Sequence, residues 1–398
     1  MKGKDLKPHI GIFGRRNLGK SSLINAITGQ EIAIVSNQAG TTTDPVKKSI
    51  EIFGIGPAII TDTAGIDDEG DLGKLRIDKS FSVIPQVDFA ILMVSANIFG
   101  AYEHKIIEEF IEYDTPFIVV HSKSDIEPLK EEVEQEIKTF THSKIVEISN
   151  KDKQSIELLI DTIKAEMPES IYQKKSLFKG IIKPKDVVLL ITPIDAEAPD
   201  GRMILPQVMA IRDVLDNDAI CITVKETEIE DFLKLGIKPA LAVTDSQVFA
   251  MVSKIIPKDV LLTSFSITLA RYRGNFEKYI EGTPHIANLK DGDTILILES
   301  CTHQVNCDDI GRFKLPRWIK EFTQKKLKFD FASGLTKFPK PIEEYAMIIQ
   351  CGGCVVTQKQ LNNRLKPAIK RNIPVSNYGM AIAYITGIFD RAIEPFRI

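Results

Sequence analysis

The sequence predicts an α/β protein of three domains built on parallel sheets, and three observations predict it. Short apolar runs alternate with helix-period stretches along most of the chain. A glycine-rich loop ending in Gly-Lys-Ser joins the first apolar run to the first helix. Four of the five cysteines lie in the last quarter, two of them directly behind apolar runs. Alternation of this kind builds a parallel sheet with helices on both faces. The 398 residues, 43% of them hydrophobic, are ample for buried cores, and the length favours two or three domains.

The elements read in order. Residues 1–168 form the first domain, with strands at His9–Phe13, Ala58–Thr61, Phe89–Val94, Phe117–His121 and Ile145–Ile148. Helices lie between them, at Lys20–Thr28 and Leu129–Phe140 among others. Pro168 ends the last helix, because the residue before proline disfavours helical geometry. Residues 169–184 are polar, basic and without clear period, and read as a linker. Alternation resumes over 185–265, with strands at Asp186–Ile191, Ala219–Val224, Ala240–Val243 and Val260–Thr263. Helices there fall at Met203–Leu215, Glu228–Leu235 and Asp245–Ile255. This block has no phosphate loop and no catalytic set, and reads as structural or oligomerising. The last block, 266–398, opens with a helix through Tyr279, and its strands are Thr294–Glu299 and Tyr345–Gln350. No repeat of fixed period and no low-complexity tract appears.

A formal net charge of −3 gives no basic field for nucleic acid. No apolar run reaches the roughly 18 residues that a membrane helix needs. The amino terminus enters an apolar strand without the apolar segment of a signal peptide. The expectation is a cytoplasmic protein, bound to neither nucleic acid nor membrane.

Gly14-Arg15-Arg16-Asn17-Leu18-Gly19-Lys20-Ser21 fits the GxxxxGK(S/T) phosphate loop, in the required context between a strand and a helix. Gly14 and Gly19 let backbone N–H groups wrap phosphates, and the helix N-terminus adds partial positive charge. Lys20 would reach the β- and γ-phosphates, and Ser21 would ligate Mg²⁺. Asp62-Thr63-Ala64-Gly65 follows a strand as a DxxG element. In it, Asp62 acts on Mg²⁺ through a water and the Gly65 amide senses the γ-phosphate. Gly40-Thr41-Thr42-Thr43-Asp44 stands where a first switch belongs, and Thr42 is the threonine chosen to complete the Mg²⁺ shell. Ser22 and Thr41 join the nucleotide-binding set. Lys20, Thr42 and Gly65 are the residues expected to act on hydrolysis.

Base reading falls to Ser122-Lys123-Ser124-Asp125, where NKxD is usual. Asp125 can accept the guanine N1–H and exocyclic amine, a pair that adenine lacks. Lys123 can pack its stem over the base. Serine for asparagine at 122 removes an amide contact and is expected to weaken base affinity. Ser149-Asn150-Lys151 stands where an SAK element would lie. Ile66 follows the DxxG element and cannot orient an attacking water, so either another group positions it or hydrolysis is slow and the domain acts as a switch. Asp67, Asp68 and Glu69 read equally as candidates for that role and as solvated loop acids. These elements resemble the GTPases of the tRNA-modification and Era-like branch. Asn17 with the AGTTTD switch is the pattern of its potassium-activated members, which implies a K⁺ held beside the phosphates by Asn17.

Cys301-Thr302-His303 follows one late strand and Cys351-Gly352-Gly353-Cys354 follows the other. Ligands of open α/β sheets bind outside the carboxyl ends of strands, so both turns can converge on one centre. An iron–sulfur cluster, a closed zinc site and a thioredoxin-like dithiol all fit these residues. Cys307 is a spare ligand or a buried thiol, and Cys221, inside AICITV, is expected in a core. Trp318 and Ile319 read as packing residues. Asp308 and Asp309 read as outer partners or the start of a turn.

A GTPase domain, a plain middle domain and a block carrying CTH, DDIGR and CGGC together resemble the iron-only (FeFe) hydrogenase maturation GTPases, the HydF family, over essentially the whole chain. The resemblance implies that 185–265 dimerises. It implies that 266–398 holds a 4Fe–4S cluster through Cys301, Cys351 and Cys354, the fourth position being His303 or an exchangeable ligand such as Cys307, water or a carboxylate. It implies a homodimer or higher oligomer. The expected role is a scaffold that receives a transient di-iron precursor made with two radical-SAM maturases and delivers it to the apo-hydrogenase. Gln304 and Ser122 depart from the family pattern. A tRNA-modification or ribosome-assembly GTPase with a zinc or dithiol end domain is the other reading.

Overall fold

The computed structural model describes residues 7–29, 45–63, 77–168, 176–194, 203–300, 309–353 and 356–397. The chain divides into two compact units, residues 1–173 and 174–398.

In the first unit, strands β1 (His9–Gly14), β2 (Val46–Ile52), β3 (Gly56–Asp62), β4 (Phe89–Val94), β5 (Phe117–Ser122) and β6 (Ile145–Ile148) form one sheet in the order β2-β3-β1-β4-β5-β6. All neighbours are parallel except β2, which runs antiparallel to β3. Period-two geometry sends alternate residues to opposite faces. Phe89, Ile91 and Met93 of β4 pack into a core with Leu23, Ile24 and Leu159. Ala90 and Leu92 pack on the other face with Ile106, Ile107 and Phe110. Helices therefore cover both faces, as the strand–helix alternation predicts. Strand β2 was not foreseen: it is an edge strand that opens Val-Lys-Lys and buries only Ile50 and Ile52.

In the second unit, β7 (Val187–Ile191), β8 (Ile220–Val224), β9 (Leu241–Thr244) and β10 (Leu261–Ser264) form a parallel sheet in the order β10-β9-β7-β8. A second parallel sheet follows, in the order β12-β11-β13-β14. It comprises β11 (Thr294–Leu298), β12 (Lys328–Ala332), β13 (Met347–Gln350) and β14 (Val375–Asn377). One apolar core joins them: Leu189, Ala242 and Leu262 pack in the same cluster as Leu296, Leu298 and Ile348. Ile319 is fully buried and Trp318 packs beside it.

Three expectations change here. Part of the stretch read as linker is core, since Leu177, Phe178 and Ile182 are buried against the β7 sheet. Their apolar side chains outweigh the basic residues around them. The single helix expected through Tyr279 is two, Phe265–Arg273 and Phe276–Gly282, with Asn275 capping the second through the Lys278 amide. Cys221 is half-buried on the edge strand β8, because β8 has a neighbour on one side alone and Ile220 beside it is half exposed. Among the described residues, no helix is long and apolar enough to cross a membrane.

Candidate functional site

The lysine of the phosphate loop is wired to the loop itself. Gly14 has φ +142°, and a Cβ there would sit 2.5 Å from the Met93 carbonyl oxygen. Gly19 caps the helix Lys20–Thr28 in a left-handed conformation, and Ser22 lies in that helix's first turn. Asn17 is also left-handed, at φ 60°, a conformation asparagine tolerates. Lys20 is buried, and its Nζ donates to the carbonyls of Gly14 at 2.9 Å and Arg15 at 2.7 Å. Its charge is thus held over the loop by groups that phosphate oxygens can replace.

Ser21 Oγ donates to Asp62 Oδ2 at 3.1 Å. Burial pushes the Asp62 carboxyl up, while Lys20, the Ser21 hydrogen bond and Lys48 pull it down. A half-buried carboxylate touching a hydroxyl is a donor set for a hard cation, which takes oxygen ligands. Thr63 fastens β3 to β1 through its hydroxyl, 2.7 Å from the Ile12 carbonyl oxygen.

The base-reading loop closes over the phosphate loop. Ser122 is 2% exposed, and its Oγ lies 2.9 Å from the Leu18 carbonyl oxygen and 3.2 Å from that of Val94. Serine therefore keeps a tether to the phosphate loop, a contact the sequence alone did not reveal. Lys123 Nζ donates to the Asn17 carbonyl at 2.7 Å. Asp125 accepts from Lys151 Nζ at 2.9 Å. The Lys151 and Ser149 hydrogen bonds hold its carboxyl below the usual range, so it is ionised and ready to accept two donors.

Sequence reasoning missed a brace behind the loop. Arg15 grips Glu103 with two bonds of 2.8 and 2.9 Å, and Glu103 is 1% exposed. The same carboxylate takes the Gly100 amide at 3.0 Å, and the Arg15 guanidinium lies 5.5 Å from the Tyr102 ring centre. The 88-residue separation hides this pair from any motif.

The second candidate site lies where strand ends of both sheets in the second unit meet. A cavity of about 220 Å³ is lined by Asp245 behind β9, Ser266 behind β10, Glu299 behind β11, Cys351 behind β13 and Tyr378 behind β14. Cys351 Sγ receives the Ser300 amide at 3.1 Å. Gly353 has φ +70°, and a Cβ there would meet Leu361 at 2.6 Å. Two buried arginines pin the turns. Arg273 donates to the Gly353 carbonyl at 2.7 Å and to that of Val356 at 3.0 Å. Arg364 donates to the carbonyls of Glu299 and Ala332, each at 2.7 Å. Beneath them the Tyr279 hydroxyl donates to Gln350 at 2.8 Å, and burial drives its phenol far above the ordinary range. Asp309 caps the turn that follows, accepting the Arg312 amide at 2.9 Å.

Thr41, Thr42, Gly65, Ile66, Asp67, Asp68 and Glu69 lie outside the described residues. So do Cys301, His303, Gln304, Cys307, Asp308 and Cys354. Of the cysteine set, the structure places Cys351 in the cavity. Among the described residues no cluster of three or more His, Cys, Asp or Glu side chains gathers to hold a metal.

A six-stranded sheet with a strand–loop–helix phosphate cradle and a base-reading loop above it defines a phosphate-loop GTPase domain. The family model described as 50S ribosome-binding GTPase matches residues 9–151. The models described as hydrogen maturase F dimerization domain and hydrogen maturase F tetramerization domain match 177–274 and 277–395. The chain belongs to the hydrogen maturase F family. GTPase Der of Wolinella succinogenes is 34% identical over 163 residues, covering 39% of this chain and 34% of that protein. The tRNA modification GTPase MnmE of Lachnoclostridium phytofermentans is 39% identical over 153 residues, covering 38% and 32%. The chain thus spans about a third of the length of these curated relatives. Era of Aquifex aeolicus bound to GDP and aluminium fluoride covers 55% of this chain and 92% of its own, at 21% identity and a TM-score of 0.36. So slight a likeness decides nothing further.

Proposed function

We propose that this protein is a GTP-switched scaffold and carrier that assembles a di-iron precursor and delivers it to apo FeFe-hydrogenase. The observation that carries the reading is the cavity at the carboxyl ends of two parallel sheets, with the Cys351 sulfur on its wall and a main-chain amide already donating to that sulfur. An amide aimed at sulfur and a glycine turn behind it suit a thiolate-held cluster. Membership of the hydrogen maturase F family supports the same reading.

Cys301, Cys351 and Cys354 would hold a 4Fe–4S cluster, with His303 or an exchangeable ligand fourth. Such a cluster supplies an iron position to which the cargo can attach. The chain's own part is to hold the turns rigid, through Arg273 and Arg364. In the first unit, Lys20 would exchange loop carbonyls for phosphate oxygens, Ser21 and Thr42 would hold Mg²⁺ beside Asp62, and Asn17 would hold K⁺. With Ile66 unable to orient water, hydrolysis is slow and acts as a switch, through Thr42 and Gly65. Nucleotide state would bias docking on two radical-SAM maturases and the apo-hydrogenase. Residues 185–265 would make the homodimer, 266–398 would carry the cluster, and the compartment would be the cytoplasm.

The test is iron and acid-labile sulfide per chain, with EPR, on anaerobically reconstituted protein and its Cys351→Ala variant. About four of each in the parent, and a reduced-cluster signal lost in the variant, is the expected result. Stoichiometric zinc, or a metal-free dithiol, sinks the carrier reading and leaves a GTPase with another partner.

A further inference from the structure

The turn behind β11 touches the sulfur of the turn behind β13. Besides the amide contact, the Ser300 hydroxyl lies 3.0 Å from Cys351 Sγ, across 51 residues of sequence. Ser300 is 4% exposed, so solvent does not compete for that hydroxyl. Nor can the serine drift. Arg364 holds the Glu299 carbonyl next to it at 2.7 Å. The Glu299 carboxylate is held in turn by Arg312, at 2.9 and 2.8 Å, and by the Ser333 hydroxyl at 2.7 Å.

The thiol form of Cys351 donates its proton to the hydroxyl oxygen. A metal-bound thiolate has no proton to give, so the hydroxyl must turn and donate to sulfur, with its oxygen in place. A hydrogen bond to a ligating sulfur draws electron density off it and favours the reduced centre. Any residue but proline at 300 supplies the backbone amide; the hydroxyl is what serine adds. We propose that Ser300 is a positioning residue whose hydroxyl donates to the Cys351 sulfur and raises the reduction potential of the iron–sulfur centre that cysteine holds. This rests on the cluster reading above.

The experiment compares the full-length parent, Ser300→Ala and Ser300→Thr, each reconstituted anaerobically. Iron and sulfide are counted, the urea transition of Trp318 is the folding control for the second unit, and a reductive titration is followed by EPR. All three hold equal iron. At the parent's midpoint potential the reduced fraction of the Ala variant falls severalfold, and the Thr variant, which keeps a hydroxyl, stays near the parent. An Ala variant with full iron and the parent's potential overturns the proposal. So does one that keeps the parent's Trp318 transition but loses its iron, because Ser300 would then be holding the centre and not tuning it. A parent without iron, or with iron indifferent to Cys351→Ala, refutes the cluster reading itself and takes the proposal with it.

Discussion

The phosphate loop and the cysteine turn occupy equivalent places, each at the carboxyl edge of a parallel sheet, but different partners hold them. Lys20 reaches carbonyls five and six residues away. The cysteine turn is held by Arg273, from 80 and 83 residues away, and its neighbour by Arg364, from 65. A lysine that bonds its own loop has those partners in any chain that contains the motif. A turn pinned from afar exists only once the whole unit has folded. The first is a local device, and the second is a property of tertiary structure.

Four substitutions or conditions can break that comparison. Lys20→Ala is expected to cut GTP hydrolysis by roughly 10²–10³-fold, since it removes a charge aimed at the transferring phosphate. Phosphate release measures it; near-parental rates would show that the loop is held by something else. Arg364→Met removes the guanidinium from the buried Glu299 and Ala332 carbonyls, the second of which keeps the Glu299 amide, and is expected to destabilise the second unit by about 3 kcal/mol. Trp318, the sole tryptophan and in the second unit, reports that unit's urea transition. A shift there with GTP binding unchanged supports the contrast, and equal loss in both units would end it.

Acid should act on the first unit. Unfolded His9 takes up its proton near 6.5, whereas burial, aided by the Lys47 charge, delays that to about 4 in the fold. Between those values the unfolded chain binds the extra proton. Stability present above 6.5 is therefore lost as pH falls towards 4, by about 3 kcal/mol. Unfolding midpoints at successive pH values would show the slope, and His9→Gln should flatten it. The smallest effect concerns the brace. Glu103→Gln keeps the shape but removes the charge, and is expected to cost about 1–2 kcal/mol and raise KM for GTP severalfold with kcat nearly unchanged. An unaltered KM would mean that the brace does not shape the loop.

The same contrast explains what the sequence revealed. Strands β1 and β4 are continuous apolar runs because both faces are covered, and they stand out. Strand β12 opens Lys328-Phe329-Asp330 and β14 has three residues, so edge position hid both. Gly14, Lys20 and Ser21 were legible because they belong to one motif that is contiguous in sequence. Arg15 with Glu103, Arg273, Arg364 and Ser300 were not: Arg273 and Arg364 meet main-chain carbonyls, which leave no residue type to recognise, and Arg15 and Ser300 meet Glu103 and Cys351 across 88 and 51 residues. Ser122 read as a loss, yet a hydroxyl reaches the same loop from that position.

The shared core of the second unit has a consequence for how this protein comes apart. The regions matched by two separate family models each have a core of their own but share a further one: Ala242 and Leu262 are covered in part by what surrounds Leu296 and Ile348. They should open together, with amide exchange of β9 and β11 governed by one cooperative event of common free energy. Evolution can treat the two as modules, while thermodynamics treats them as one. A chain severed between them would expose two apolar half-interiors and precipitate.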